Sequence, residues 1–498
     1  MDHVDAGDRR DSRAAAVAWV VMLLCVVLIF VTQRAFAPDP TDVVVNTVGP
    51  DVDQVFSGRV IVGLHELGVG PTSEQLLAEF TAEADRPIDQ VRLAVVEAEV
   101  AGATPARERL TEVLASVEQQ LAVLEQAEAD AMQVPAELER ALERELGRKA
   151  EPGGAIARRL ALEAVREDAR LLLSIYTADA TVELNEATRN TLVARHGWFG
   201  RLALTHMPDA ADVAAPSRGS RGNRGAVVGE AVRTVVASLG FMAVLGGAGL
   251  VGLVLLILGI VFWSDGRLQP QYRPMRRPTA PFLESAALFL VLMIVLSVAL
   301  PVVGELTGLP VNGLLYALVP LALFWPLARG VNWQRWREGL GWRRGAGVWR
   351  EVGWGLVGYV AGLPIIFAGL LLTLLVSSML VEEAEHPITQ ELFTGGLWQL
   401  LLAVGLAVIW APIVEETIFR GAFYHHMRRR WNALVSGLVV GLVFAAIHPQ
   451  GVVGIPVLTS VAVVFALIRE WRGSLVGPMA AHALHNFGAT MLMLLLLR

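Results

Sequence analysis

Three segments in the last hundred residues place ionisable side chains in otherwise apolar sequence. They are Trp410-Ala-Pro-Ile-Val-Glu415-Glu416-Thr-Ile-Phe-Arg420-Gly421, Phe444-Ala-Ala-Ile-His448-Pro449 and His482-Ala-Leu-His485-Asn486. Such groups are costly inside a bilayer and mark functional candidates. Two adjacent carboxylates, Glu415 and Glu416, would repel one another unless each has work to do. A buried carboxylate such as Glu415 is a natural general base for water, and a histidine such as His448 beside it can hold the water or share its proton. His482 and Asn486 share a helix face. Together they can donate to a developing oxyanion, each donor contributing roughly 3–4 kcal/mol. Glu416 and Arg420 have the spacing of an ion pair within a bundle. His485 is off the His482/Asn486 face, and His425 and His426 lie beside arginines and are expected to be solvated. These three histidines are excluded from the site. No Gly-x-Ser-x-Gly elbow is present and the single cysteine, Cys25, is distant, so attack by water is favoured over a covalent nucleophile. The rival arrangement is a zinc ion on Glu415, His448 and His482 with water in the open position. The His-Glu-x-x-His helix signature of zinc proteases is absent.

The elements must bring these residues to one depth. Glu415 and His448 are 33 residues apart, and their midpoint falls in Arg428-Arg429-Arg430-Trp431-Asn432, an evident hairpin turn. Each then lies about 24 Å from the turn at the helical rise. The last span begins near Ser474, which places His482 only about 12 Å from that end. The hairpin must therefore project beyond the start of the last span, into the cytoplasm, with the site in the cytoplasmic half of the membrane.

The rest of the chain supports an all-α, polytopic membrane helix bundle. Its 498 residues are 54% hydrophobic and only 18% charged, a charge content that points to lipid as solvent. An apolar run at 14–32 behind Arg9, Arg10 and Arg13 reads as an uncut signal anchor, the alternative being a signal peptide cleaved after Ala35-Phe36-Ala37. Further spans are expected at about 237–263, 281–303, 311–328, 352–380, 398–420, 433–448, 453–468 and 475–497, about nine in all. Pro364 is expected to kink the fourth of these. Between them, 38–216 reads as an inserted acidic helical domain. From 71 to 190 it holds 24 Asp/Glu against 13 Lys/Arg. Leu93, Val96, Val100, Leu110, Val113, Leu114, Leu121, Leu124, Leu138, Leu142, Leu146 and Leu160 recur at helical spacing, with breaks at Pro135 and Pro152-Gly153-Gly154. His196-Gly197-Trp198-Phe199 reads as an interfacial segment. A linker follows at 217–236, then membrane spans at 237–397 and the site-bearing core at 398–498. No part is basic enough for nucleic acid.

Loop charge sets the orientation. Loops 264–279, 329–350, 425–431 and 469–472 hold four, six, three and two arginines, whereas 305–310, 381–396 and 449–452 hold none. The positive-inside rule places the N-terminus and the Arg-rich loops in the cytoplasm and the acidic domain outside a plasma membrane, with Arg218, Arg221 and Arg224 as the exception.

The ordered series Glu-Glu-x-x-x-Arg, Phe-x-x-x-His and His-x-x-x-Asn on successive apolar segments resembles the CPBP family of intramembrane proteases. That family includes the type II CAAX prenyl endopeptidases and bacterial Abi-type homologues. The likeness covers roughly 398–490. It implies Glu415 as general base on water, His448 as its partner, His482 and Asn486 as oxyanion donors, and Glu416 and Arg420 as supporting residues. It implies a membrane-associated peptide or protein substrate and leaves open whether zinc takes part. The alternative function is a non-catalytic membrane scaffold or sensor whose outer helical domain binds a partner. A proton-relay transporter ranks last, because the polar residues gather at one depth.

Overall fold

The structure, a computed structural model, describes residues 2–35, 52–131, 152–177, 184–207, 224–274, 279–309, 311, 313–380 and 397–497. The described elements are helical, as the all-α expectation requires. The chain divides into two compact units, 1–37 with 241–494, and 38–240 with the last four residues.

In the membrane unit, α1 (Asp2–Ala35) turns Ala15, Ala18, Met22 and Cys25 inward. They join Leu283, Ala286 and Leu290 in one core with Ile418, Phe423 and Phe444 from the site-bearing region. The leading apolar run is thus packed into the bundle.

The other unit contains α2 (Val52–Leu67), α3 (Ser73–Glu83), α4 (Pro87–Val100), α5 (Ala103–Ala131), α6 (Pro152–Tyr176), α7 (Glu186–His196) and α8 (Trp198–Leu204). Local signals start these helices. Thr72 and Gln75 form a capping box on α3, Asn185 caps α7, and Pro87 opens α4. Leu93, Val96, Val100, Leu110, Val113 and Leu121 are buried as their spacing predicts, whereas Leu160 is exposed. Pro135, Leu138, Leu142 and Leu146 lie outside the described residues. Two expectations change. His196, Trp198 and Phe199 are core residues of this unit rather than interfacial ones. Trp198 Nε1 donates to the Val227 carbonyl at 3.2 Å, and His196 Nε2 meets Asp168 at 3.0 Å. Residues 224–236, read as linker, are the first turns of α9 (Arg224–Ser264), with Val227, Val228, Ala231 and Val235 buried. An alternating small and apolar face there packs as helix.

The membrane unit continues with α10 (Ala280–Thr307), the broken apolar helix Leu314–Ala328, the short amphipathic α11 (Trp333–Leu340) and α12 (Val348–Leu380). Four further helices carry the site region: α13 (Leu397–Met427), α14 (Ala433–Ala446), α15 (Gly451–Arg472) and α16 (Val476–Leu497). Among the described residues six helices are long and apolar enough to cross a membrane, against the nine expected. Leu314–Ala328 and Ala433–Ala446 fall short in length. Pro364 sits inside an unbroken α12.

Burial holds the His196 imidazole below its ordinary range, although the hydrogen bond to Asp168 pulls the other way. A histidine whose folded pKa is depressed contributes stability above its unfolded value, and that contribution is lost as pH falls below about 6.5. Limited proteolysis of the full-length protein is therefore expected to cut 52–207 faster at pH 5 than at pH 7.5. His196→Gln is expected to flatten that difference.

Candidate active site

Residue types within α13 explain its local shape. Pro412 has no N–H to donate, and the backbone on both sides of Ala411–Glu415 widens into π-helical turns at Leu406–Trp410 and Glu416–Phe423. In such a turn the carbonyl that Pro412 would have served is that of Ala407, five residues back. Asn486 Nδ2, from α16, donates to that carbonyl at 2.7 Å. The wide turns put Glu415 and Glu416 on a helix already opened by a sequence feature, as wide turns often are at functional positions.

The adjacent carboxylates have different environments. Glu416 is fully buried, and its Oε1 accepts from Arg420 Nη1 at 2.9 Å and from His482 Nδ1 at 2.9 Å. The side chain of Glu415 keeps 20% of its surface, and its Oε2 lies 3.9 Å from His482 Nε2. Arg420, also fully buried, lies over the Phe444 ring at 4.7 Å and the Phe465 ring at 5.2 Å. Phe465 in turn stacks on His482 with centroids 5.0 Å apart. The cation is thus neutralised by one carboxylate and enclosed by two aromatic faces, which is favourable once water is excluded.

His448 follows α14 directly, in the turn after the helix cap. Its Nδ1 meets the Phe444 carbonyl at 2.5 Å, and its ring packs on Phe444 with centroids 4.2 Å apart. A carbonyl only accepts, so Nδ1 carries the proton and Nε2 is left as an acceptor in the neutral ring. Glu415 and His482 both lie within electrostatic range of His448.

The depth match expected from spacing rests on two anchors. Glu470 on α15 accepts from Tyr424 Oη at 2.9 Å and from Arg428 Nη2 at 2.8 Å. Leu475 N–H, at the start of α16, donates to the Gly341 carbonyl at 3.0 Å, and Gly421 packs beside the neighbouring Leu340 carbonyl. The last helix therefore begins level with Gly421, and α13 runs on about 9 Å further to the hairpin. Asn432 caps α14 after that turn, accepting from the Val435 N–H at 2.9 Å.

Of the six sequence-derived residues, Glu415, Glu416, Arg420 and His482 meet directly, His448 packs on the Phe444 ring that also faces Arg420 and His482, and Asn486 reaches the Ala407 carbonyl further along α13. His485 stays apart, its Nδ1 meeting Tyr359 Oη at 3.0 Å. The expectation that His425 and His426 are solvated is wrong, because both are buried. The segment before α10 covers them. Tyr272 Oη meets His425 Nδ1 at 2.9 Å and the Thr279 carbonyl faces His426 Nδ1 at 3.2 Å. Burial pushes the Tyr272 hydroxyl up to about 12.

Sequence reading missed Phe465, Tyr272 and Arg469. Arg469 is fully buried under the Tyr272 ring at 4.8 Å and donates to the carbonyls of Arg420 and Leu340 at 3.4 and 3.3 Å. Its position near a span end in an Arg-containing loop was the only signal. Gly341, at φ 88°, leaves room for it, since a Cβ there would collide with the guanidinium.

Zinc ligands sit about 2.0–2.2 Å from the metal. His482 and His448 spend Nδ1 on the Glu416 carboxylate and the Phe444 carbonyl and keep Nε2 free, as zinc-ligating histidines do. Among the described residues no group of three or more His, Cys, Asp or Glu is placed to hold a metal ion.

Comparison with curated proteins gives no match. Comparison with solved structures gives none either. A family model described as type II CAAX prenyl endopeptidase Rce1-like matches residues 397–488, a stretch that contains all six site residues and most of the four helices around them. The chain is a multi-pass membrane protein whose residues 397–488 are similar to the type II CAAX prenyl endopeptidase Rce1-like family.

Proposed function

We propose that this protein is an intramembrane endopeptidase that hydrolyses a peptide bond near the cytoplasmic leaflet, with Glu415 activating water. The observation that carries this reading is the division of labour between neighbouring carboxylates. Glu416 Oε1 takes both Arg420 and His482, whereas Glu415 is partly exposed beside the free edge of His482.

Glu415 takes a proton from water while His448 Nε2 accepts the water's other hydrogen bond. The oxygen attacks the scissile carbonyl carbon. Glu415 then delivers its proton to the departing amine, so that water and amide become acid and amine. His482 donates Nδ1–H to Glu416, so its Nε2 carries a proton only as imidazolium, and in that form it can donate to the oxyanion. Two carboxylates, Arg420 and imidazolium His482 then sum to zero charge, which suits a site shielded from water. Asn486 has a second amide N–H beyond the one given to Ala407, and that N–H is the other oxyanion donor.

Glu415→Gln is expected to keep the fold and lower kcat by roughly 10²–10⁴-fold. The assay uses the full-length protein in vesicles against a panel of membrane-tethered peptides, prenylated CAAX peptides included. Wild-type rates in this variant, or no cleavage of any panel member by the wild type, would sink the proposal. Glu416→Gln behaves differently. It strips the counter-ion from a buried arginine, at a cost of about 3–5 kcal/mol, and is expected to lower the melting temperature as well as activity.

The loop charges support a cytoplasmic N-terminus and an extracytoplasmic 52–207 unit in a plasma membrane. In a Cys25→Ser background, Ser116→Cys is expected to react with an impermeant maleimide in intact cells, and Ser264→Cys only after permeabilisation. The reverse pattern refutes that orientation.

A further inference from the structure

The stretch from Trp333 to Arg350 is not used by the chemistry above, yet it has an unusual composition and exposure. The inner face of α11 is fixed: Trp336 and Leu340 are buried with Phe282, Val331 and Ala422, and Trp336 Nε1 donates to the Leu323 carbonyl at 2.8 Å. Its outer face and the following turn present Arg335, Arg337, Arg344 and Arg350, all exposed. Among the described residues none of these four has a carboxylate ion pair, whereas Arg329 close by is paired with Glu284 at 2.8 Å. Glu338, the acid on the same helix, accepts from Gln334 at 3.0 Å. Between the arginines Trp333, Trp342 and Trp349 are 56%, 41% and 86% exposed. The turn is short, and α12, which is long and apolar enough to span, begins at Val348. Trp349 and Arg350 thus stand in the first turn of a span.

Indole rings beside guanidinium groups at a span end suit the headgroup layer, where the ring body meets acyl chains and the cation meets phosphate. Four unpaired arginines favour phosphates that carry net negative charge over zwitterionic headgroups, and guanidinium matches phosphate oxygens bidentately.

We propose that α11 and the turn to Arg350 form a docking surface for anionic phospholipid headgroups, held rigidly by the Trp336 and Leu340 anchor. This surface is independent of the protease reading. The test is native mass spectrometry of the full-length protein in detergent with equimolar phosphatidylglycerol and phosphatidylcholine. The wild type is expected to retain phosphatidylglycerol preferentially. Arg335→Gln/Arg337→Gln/Arg344→Gln/Arg350→Gln is expected to cut that preference roughly fivefold or more. The corresponding four Lys substitutions are expected to keep most of it. If the quadruple Gln variant melts below the wild type, the two double variants, 335/337 and 344/350, are measured instead, each with a smaller loss expected. A wild type without preference, or Gln variants that retain it in full, overturns the proposal.

Discussion

A single carboxylate oxygen, Glu416 Oε1, receives both the Arg420 guanidinium and the His482 ring, each at 2.9 Å. An arginine fully removed from solvent is tolerated only with a counter-ion and well-shaped surroundings. Here the counter-ion lies one turn earlier on the same helix, and Phe444 and Phe465 supply the faces. Because Glu416 is occupied, His482 is oriented from one edge and turns its other nitrogen toward Glu415. Removing Glu416 would therefore disturb the charge balance, the arginine and the orientation of the histidine together.

The helix carrying both glutamates is deformed for a reason written in its own residues. Pro412 interrupts the ladder and the backbone opens into wide turns. The freed Ala407 carbonyl is taken by Asn486, so the residue implied as an oxyanion donor also ties α16 to α13. Two side chains of one helix face, His482 and Asn486, thus dock at points separated along α13 by about two and a half turns.

Outside the site, buried polar contacts set the height of the hairpin. Glu470 takes Arg428 and Tyr424 from the end of α13, while Arg469, next in sequence, points to the Arg420 and Leu340 carbonyls. Tyr272 covers this layer from the preceding loop. These contacts hold α11 against the helix that carries the chemistry.

Much of this was legible in the residues alone. Apolar runs of spanning length can only be helices in lipid, and short motifs carried on consecutive spans separated by a tight turn must meet at a common depth. Helical periodicity likewise located the buried face of α4 and α5. What the sequence could not determine was which neighbours arrive from a distance. His425 and His426 sit beside arginines in the chain, yet Tyr272 and Thr279 come from some 150 residues away to bury them. Trp198 and Phe199 have the composition of an interfacial segment, but Val227 and the helix behind it enclose them. Phe465 carries no polar group to single it out, and its role arises only from where α15 crosses Arg420. Local sequence determined the helices and singled out the six candidate residues. Tertiary packing decided their environments, leaving Glu415 partly open and Glu416 closed, because burial is set by residues remote in the chain.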